Sequence, residues 1–247
     1  MKKLFSYSII LMALCALVSC SNDDDNNGSG SGSGSGKNAK KLLYSSYDGG
    51  RNFIYNDKGK LEKAGDMTFV WTNNSVECTD WIVLLSNDKI IKRGSISIDY
   101  SGDKLTKMDK LTKMAYNNYY DETITYKWDG DNITESNYSD GYENQNTTYT
   151  YYPDKKGNGA IDAFYIKLDD SFIYISHHGH DYNLKTLLLA HPWLMGKSNK
   201  NLIKSKTIHH SNGETETINY TYEFDTNGNP IKVYENGNFS ESFLWEL

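Results

Sequence analysis

His177-His178-Gly179-His180 is the densest run of metal-ligating side chains in the chain, and His191 follows not far behind. Zinc is held by imidazoles converging from three or four sides, whereas adjacent residues on a strand point to opposite faces. One of His177 and His178 can therefore join His180, and the candidate set becomes His178, His180 and His191. No HExxH or paired-cysteine spacing backs this set, so a solvated turn following a strand Phe172 to Ser176 is the favoured reading. No cofactor is implied.

Other constellations fare worse. Gly196-Lys197-Ser198 has the ending of a phosphate loop, but His191 stands where the motif needs its first glycine, and Pro192 and Trp193 fill the backbone cradle. Asp169-Asp170 and Asp129 with Asp131 invite a reading as catalytic carboxylates or calcium ligands. Glycosidase carboxylates must face each other across a groove, which local spacing does not specify, and the sixth residue of a calcium loop starting at Asp129 would be Thr134 in place of glycine. Turn chemistry accounts for these residues. Neither a Gly-x-Ser-x-Gly elbow nor a recognisable Ser/His/Asp set occurs. Cys78, in Val76-Glu77-Cys78-Thr79-Asp80-Trp81, reads as a buried strand cysteine ahead of a nucleophile.

Aromatic surface is what is left. Tyr, Trp and Phe make up 13% of the chain, and such rings stack on sugars and other flat ligands while Asn and Asp hydrogen-bond hydroxyls. Trp81, Tyr120, Trp128 and Trp193 are the candidate ligand-binding residues. Core packing or cross-strand pairing is the bland reading of each.

The elements that must position them are strands. Ile96-Ser-Ile98-Asp-Tyr100, Ile124-Thr-Tyr126-Lys-Trp128, Ile218-Asn-Tyr220-Thr-Tyr222 and Ile231-Lys-Val233 alternate with period two. Asn56-Asp57-Lys58-Gly59, Ser101-Gly102-Asp103, Asp129-Gly130-Asp131 and Asp225-Thr226-Asn227-Gly228 supply hairpin turns between them. The unit is an aromatic strand end, a short polar turn and a new aliphatic residue, written several times with varying spacing. Leu184 to Met195 breaks the alternation and is expected to be a short helix or irregular crossover over 184–196. The fold class that follows is all-β: an antiparallel meander curled into a soluble open barrel or a strongly twisted sheet.

Compartment is written at the front. Lys2-Lys3, an apolar run Leu4 to Val18, and Ser19-Cys20 resemble a bacterial lipoprotein signal, with the run too short for the roughly 20 apolar residues of a membrane span. Cys20 is the expected lipidation site, residues 1–19 the signal peptide, 20–40 a flexible acidic and Gly/Ser stalk, and 41–247 one β-rich domain. Twenty stalk residues reach on the order of 25 Å. With Cys15 lost and Cys20 lipidated, Cys78 is the last thiol, so the domain is held by burial alone. The net charge of -6, without a concentrated basic cluster, argues against a nucleic-acid partner.

The signal followed by Asp23-Asp24-Asp25, the repeated aromatic hairpins, and Gly196-Lys197-Ser198-x-Lys200-Asn201-Leu202 together resemble a family of Bacteroidota lipoproteins whose domain, of unknown function, has a porin-like fold. The acidic residues after Cys20 also resemble a surface-export signal. The resemblance implies an outer-membrane lipoprotein facing the cell exterior, with the periplasmic face as the alternative. Strand runs of mostly five to seven residues favour a soluble barrel over a membrane-spanning one, whose strands need about 9–11. The expected function is a lipid-anchored binding module for a glycan or small amphipathic ligand. A polysaccharide hydrolase with an Asp/Glu pair and an architectural envelope protein are the alternatives.

Overall fold

A computed structural model describes residues 40–78, 81–111, 121–140, 143–167 and 181–246. Cys20, Tyr120, His178 and His180 lie outside the described residues. The strands run β1 (Leu42–Ser45), β2 (Arg51–Tyr55), β3 (Leu61–Ala64), β4 (Met67–Trp71), β5 (Ser75–Cys78), β6 (Trp81–Ser86), β7 (Lys89–Arg93) and β8 (Ile96–Ser101). They continue as β9 (Lys104–Leu111), β10 (Asp121–Asp129), β11 (Asn132–Ser139), β12 (Asn144–Lys156), β13 (Asn201–His210), β14 (Thr215–Phe224), β15 (Pro230–Glu235) and β16 (Asn238–Trp245). Each pairs antiparallel with its sequence neighbours, and β1 pairs with β16, with Leu42 opposite Trp245 and Ser45 opposite Phe243. The meander is thus a closed barrel, and the open barrel or twisted sheet left possible by the sequence is resolved by that last pairing.

Strand lengths need a correction. They range from 4 residues in β1 to 13 in β12, with 10 each in β13 and β14, so length does not separate a spanning barrel from a soluble one. The period-two pattern underestimates these strands because bulges interrupt it, as between Thr150 and Tyr151.

Inward positions are aliphatic and aromatic: Leu61, Val76, Val83, Ile90, Leu105, Met108 and Ile133 are fully buried. Cys78 is buried in β5, as the sequence predicts. Burial of this side-chain set, at about 25 cal/mol per Å² of apolar area, is the main force holding the fold.

One repeated device explains the aromatic strand ends. In seven of the eight hairpins the ladder between an odd strand and the following even strand stops two residues short of the odd strand's first inward residue, for example at Lys92 opposite Ser97, two beyond Ile90. The carbonyl of that residue then accepts a hydrogen bond from the aromatic three residues beyond the last paired residue of the even strand, as Tyr100 stands three beyond Ser97. Tyr55 Oη donates to Leu42 O at 2.9 Å, Trp71 Nε1 to Leu61 O at 2.7 Å, and Tyr100 Oη to Ile90 O at 2.9 Å. Trp128 Nε1 donates to Leu105 O at 2.8 Å, Tyr151 Oη to Ile133 O at 2.5 Å, Tyr222 Oη to Ile203 O at 2.8 Å, and Trp245 Nε1 to Pro230 O at 2.6 Å. A buried backbone carbonyl needs a partner, and the ring provides one where the strands have splayed. The eighth hairpin proves the rule: β5 and β6 stay paired to Ser75, Leu85 N donates to Asn74 O at 2.8 Å, and Leu85 takes the aromatic's place.

These aromatics ring the end at which Lys40 and Glu246 emerge, here called the terminal rim; the turns at the opposite end form the far mouth. Lysines at the rim cover the rings, with the Lys60 ammonium 4.9 Å from Trp71 and that of Lys104 5.5 Å from Trp128.

The connection from β12 to β13 enters the lumen from the terminal rim. It contains α1 (Gly159–Asp162), which runs on as a π turn over Ala163–Lys167, then α2 (Asp181–Ala190) and a 3₁₀ turn Pro192–Met195. Asn158 caps α1, its Oδ1 accepting from Ala160 N and Ile161 N. The helical crossover expected over 184–196 is present; α1 precedes it unheralded. Residues Leu184 to Ala190 are all buried, a helix apolar around most of its circumference because the barrel wall surrounds it. The described part of the insert packs on the wall from inside: Tyr126 Oη donates to Lys167 O at 3.1 Å, and Phe164 meets the Tyr47 ring edge-on at 4.8 Å.

Gly196 to Leu202 stitches the insert back into the wall. Lys197 N donates to Asp103 O at 2.7 Å, the Lys197 ammonium reaches Asp131 Oδ1 at 2.8 Å, and Lys200 N donates to Asp131 O at 3.0 Å. Gly196 has φ +73°, and a Cβ there would lie 2.3 Å from Asp103 O. The lysine and glycine suggestive of a phosphate loop are a latch onto the β8–β9 and β10–β11 turns.

Candidate functional site

Polarity is distributed unevenly within the lumen, and the polar part of the wall lies toward the far mouth on the β10–β16 side. Glu122, Ser136, Thr147, Lys206 and Glu241 are buried there. Register places them: Lys206 sits opposite Ile218 and Ile208 opposite Glu216, and Tyr220, a core residue, sits opposite Glu235. Glu216, Ile218 and Tyr220 therefore share the inward face of β14 by the two-residue period.

A recess of about 300 Å³ opens at this wall, lined by Glu216, Ile218, Glu235, Asn236, Asn238, Phe239 and Ser240. The β15–β16 turn carries it, with Asn236 at φ 49° and Gly237 at φ 82°, the left-handed pair that a two-residue hairpin requires. Ser240 Oγ donates to Glu235 Oε1 at 3.0 Å and lies 3.0 Å from Tyr165 Oη, which ties this wall to the insert. Tyr165 packs on Tyr220 with ring centroids 5.1 Å apart. Just below, Glu241 accepts from Ser46 Oγ at 2.7 Å; burial raises its pKa, the Ser46 bond opposes that, and Glu235 adds to it. The lining combines carboxylates, amides and a hydroxyl with the apolar faces of Ile218 and the exposed Phe239, and no lysine or arginine is among the lining residues. Such a surface exchanges hydrogen bonds with hydroxyl groups and offers a ring for a C–H face.

The candidates from sequence do not gather here. Trp81 opens β6, half-buried, with its ring 6.2 Å from Phe69. Trp128 is one of the rim aromatics, and Trp193 sits in the insert 4.5 Å from the His191 ring. His191 itself is buried among Tyr55, Trp71 and Trp193, and its Nε2 accepts from Leu61 N at 2.9 Å. Burial, with Lys60 adding to it, lowers its pKa to about 3, so the ring is neutral and its Nε2 lone pair already committed. Among the described residues no group of three His, Cys, Asp or Glu side chains is arranged to hold a metal ion. Asp131, one of the paired aspartates, serves the Lys197 latch.

A second buried polar cluster, between the insert and the wall, is structural. Asp162 is buried, accepting from Asn199 N, while Asn199 Oδ1 accepts from Ile133 N at 2.5 Å. The Lys167 ammonium donates to Lys197 O at 2.7 Å and to Met195 O at 3.1 Å. Burial raises the Asp162 pKa to about 6 against the pull of Lys167, and lowers that of Lys167 to about 8 against the pull of Asp162.

No protein-family model matches the chain, and no curated protein sequence matches it. Solved structures do. A porin-like protein from Bacteroides vulgatus is 15% identical with a TM-score of 0.60, covering 83% of this chain and 98% of its own. A porin-like protein from Bacteroides uniformis is 14% identical with a TM-score of 0.55, covering 84% and 98%. The fold is therefore that of porin-like barrels, here with a helical insert in the lumen.

Proposed function

We propose that this chain is a lipid-anchored outer-membrane lipoprotein facing the cell exterior, tethered at Cys20, whose far mouth binds a glycan or similar polyhydroxylated ligand. The recess carries the reading: it joins Glu216, Glu235, Asn236 and Asn238 to the exposed face of Phe239 at the end opposite the terminal rim. The described part of the insert, buried in one cluster with wall residues inside the lumen, favours binding over conduction. The outer wall of β8–β15, where Asp99, Thr125, Lys127, Thr150, Lys204 and Glu223 are exposed, favours a barrel bathed in water over one spanning a bilayer, which needs an apolar band on all sides.

The test is a glycan screen by calorimetry on the full chain, followed by Phe239→Ala and Glu235→Gln. Loss of one aromatic platform costs about 1–2 kcal/mol, or roughly tenfold in affinity. Absence of any binder at millimolar concentration, or unchanged affinity in both variants, overturns the reading. The Glu216 and Glu235 pair keeps a hydrolase as second reading, scored in the same screen by release of reducing ends. For the anchor, Cys20→Ser abolishes lipid labelling, and labelling retained in that variant refutes the assignment.

A further inference from the structure

The outer wall of the barrel has two unlike halves. Leu43, Ile54, Val70, Ile82, Leu84, Ile91 and Leu244 are exposed, and they stand on β1, β2, β4, β6, β7 and β16. These belong to one unbroken run of neighbouring strands, β16-β1-β2-β3-β4-β5-β6-β7. Among the described residues no large exposed hydrophobic side chain lies on β8–β15. Height along the barrel is uneven too: all but Ile82 of these seven lie within two residues of the strand end at the terminal rim, while the remaining large exposed hydrophobic side chain among the described residues, Phe239, stands at the far-mouth end of β16. The apolar side chains form a half-collar beside that rim.

We infer that this half-collar docks on the surface of the lipid bilayer, tilting the barrel so that one side of its terminal rim sits in the headgroup region and the far mouth points away. The inference rests on the anchored reading above. Where the chain enters argues for lipid: β1 lies inside the collar, and the 20 residues that follow Cys20 up to Lys40 give a tether reaching on the order of 25 Å, which keeps this rim at the membrane. Shape argues the same way. A barrel wall is convex, and two convex walls meet along a narrow strip that leaves most of the collar wet, whereas a lipid surface deforms around it. The charged residues interspersed in the collar, Glu62, Lys63, Glu77 and Lys92, are long enough to lay their stems on apolar surface with their heads in the headgroup layer. The collar owes its affinity to apolar area, so zwitterionic lipid suffices and salt has little effect.

The experiment uses the full lipidated chain, reconstituted into phosphatidylcholine/phosphatidylethanolamine vesicles, with a nitroxide at Ile54→Cys or Val70→Cys and, on the opposite wall, at Thr150→Cys or Lys204→Cys. Cys78 is buried and resists labelling under native conditions. The ratio of oxygen to nickel-chelate collisions is expected to be severalfold higher at 54 and 70 than at 150 and 204, and to fall to the level of 150 when Leu43→Glu and Leu244→Glu are added. Vesicle-bound protein with equal ratios at all four positions overturns the docking and leaves the anchor standing. Spin–spin coupling between labels at 54 on different molecules identifies a second copy as occupant and overturns it as well. Mass analysis showing no lipid on Cys20 removes the anchored reading, and the docking with it.

Discussion

Tyr222→Phe deletes one oxygen from the rim. Its hydroxyl donates to Ile203 O at 2.8 Å, Ile203 is fully buried, and β13 and β14 have parted by that height. Water reaches this carbonyl poorly, so the cost combines a net hydrogen bond of about 1 kcal/mol with part of the penalty for an under-satisfied buried acceptor. The expected loss is about 1–2 kcal/mol, and with a shift of roughly 2–4 °C per kcal/mol for a domain of this size the melting temperature falls by about 2–8 °C. Tyr234→Phe is the control: its hydroxyl meets Glu223 on the outer wall, in water, where solvent competes for both partners and the variant should unfold like the parent. Urea unfolding of the full chain, followed by tryptophan fluorescence, reads both variants against the parent. Equal losses at 222 and 234, or no loss at 222, would show that the aromatic ring of donors fills space without securing the splayed hairpins.

Gly196→Ala should fail to seat the latch, because its Cβ would lie 2.3 Å from Asp103 O at a φ of +73°; limited proteolysis should cut the insert, and a parent-like digest would refute this. Two buried groups should pull stability in opposite directions between pH 4 and 6. Asp162, with its folded pKa raised to about 6, contributes stability that is full at low pH and lost as pH rises through 6. His191, lowered to about 3, contributes stability that is present above its unfolded value near 6.5 and lost as pH falls toward 3. Asp162→Asn should therefore leave stability rising more steeply with pH in that window, and His191→Gln should leave it falling, each by at most about 1.4 kcal/mol per pH unit. Parallel pH profiles for the two variants would contradict the assignment.

The strands were legible because their wet and dry faces alternate, as in Ile96-Ser-Ile98-Asp-Tyr100, and so was the aromatic-turn-aliphatic hairpin, whose recurrence now has a cause in the carbonyls the rings satisfy. Closure was not legible, since it depends on Leu42 meeting Trp245 across the whole chain. Nor was α1: Ala160, Ile161, Ala163, Tyr165 and Ile166 are buried on every side, and a helix enclosed by a wall has no polar stripe to betray its period. Trp128 and His191 looked chemical because their types are versatile; the carbonyl of Leu105 and the amide of Leu61 employ them. Glu216, Glu235 and Phe239 went unnoticed because residues like these also punctuate ordinary hairpins, and three-strand register is what assembles them.

Pairing of β1 with β16 also leaves the sheet without a raw edge. Parting that one seam would expose two edges at once, each able to recruit another chain. The four residues of β1 act as the clasp of the barrel, and their shortness makes an opened edge a poor template for aggregation.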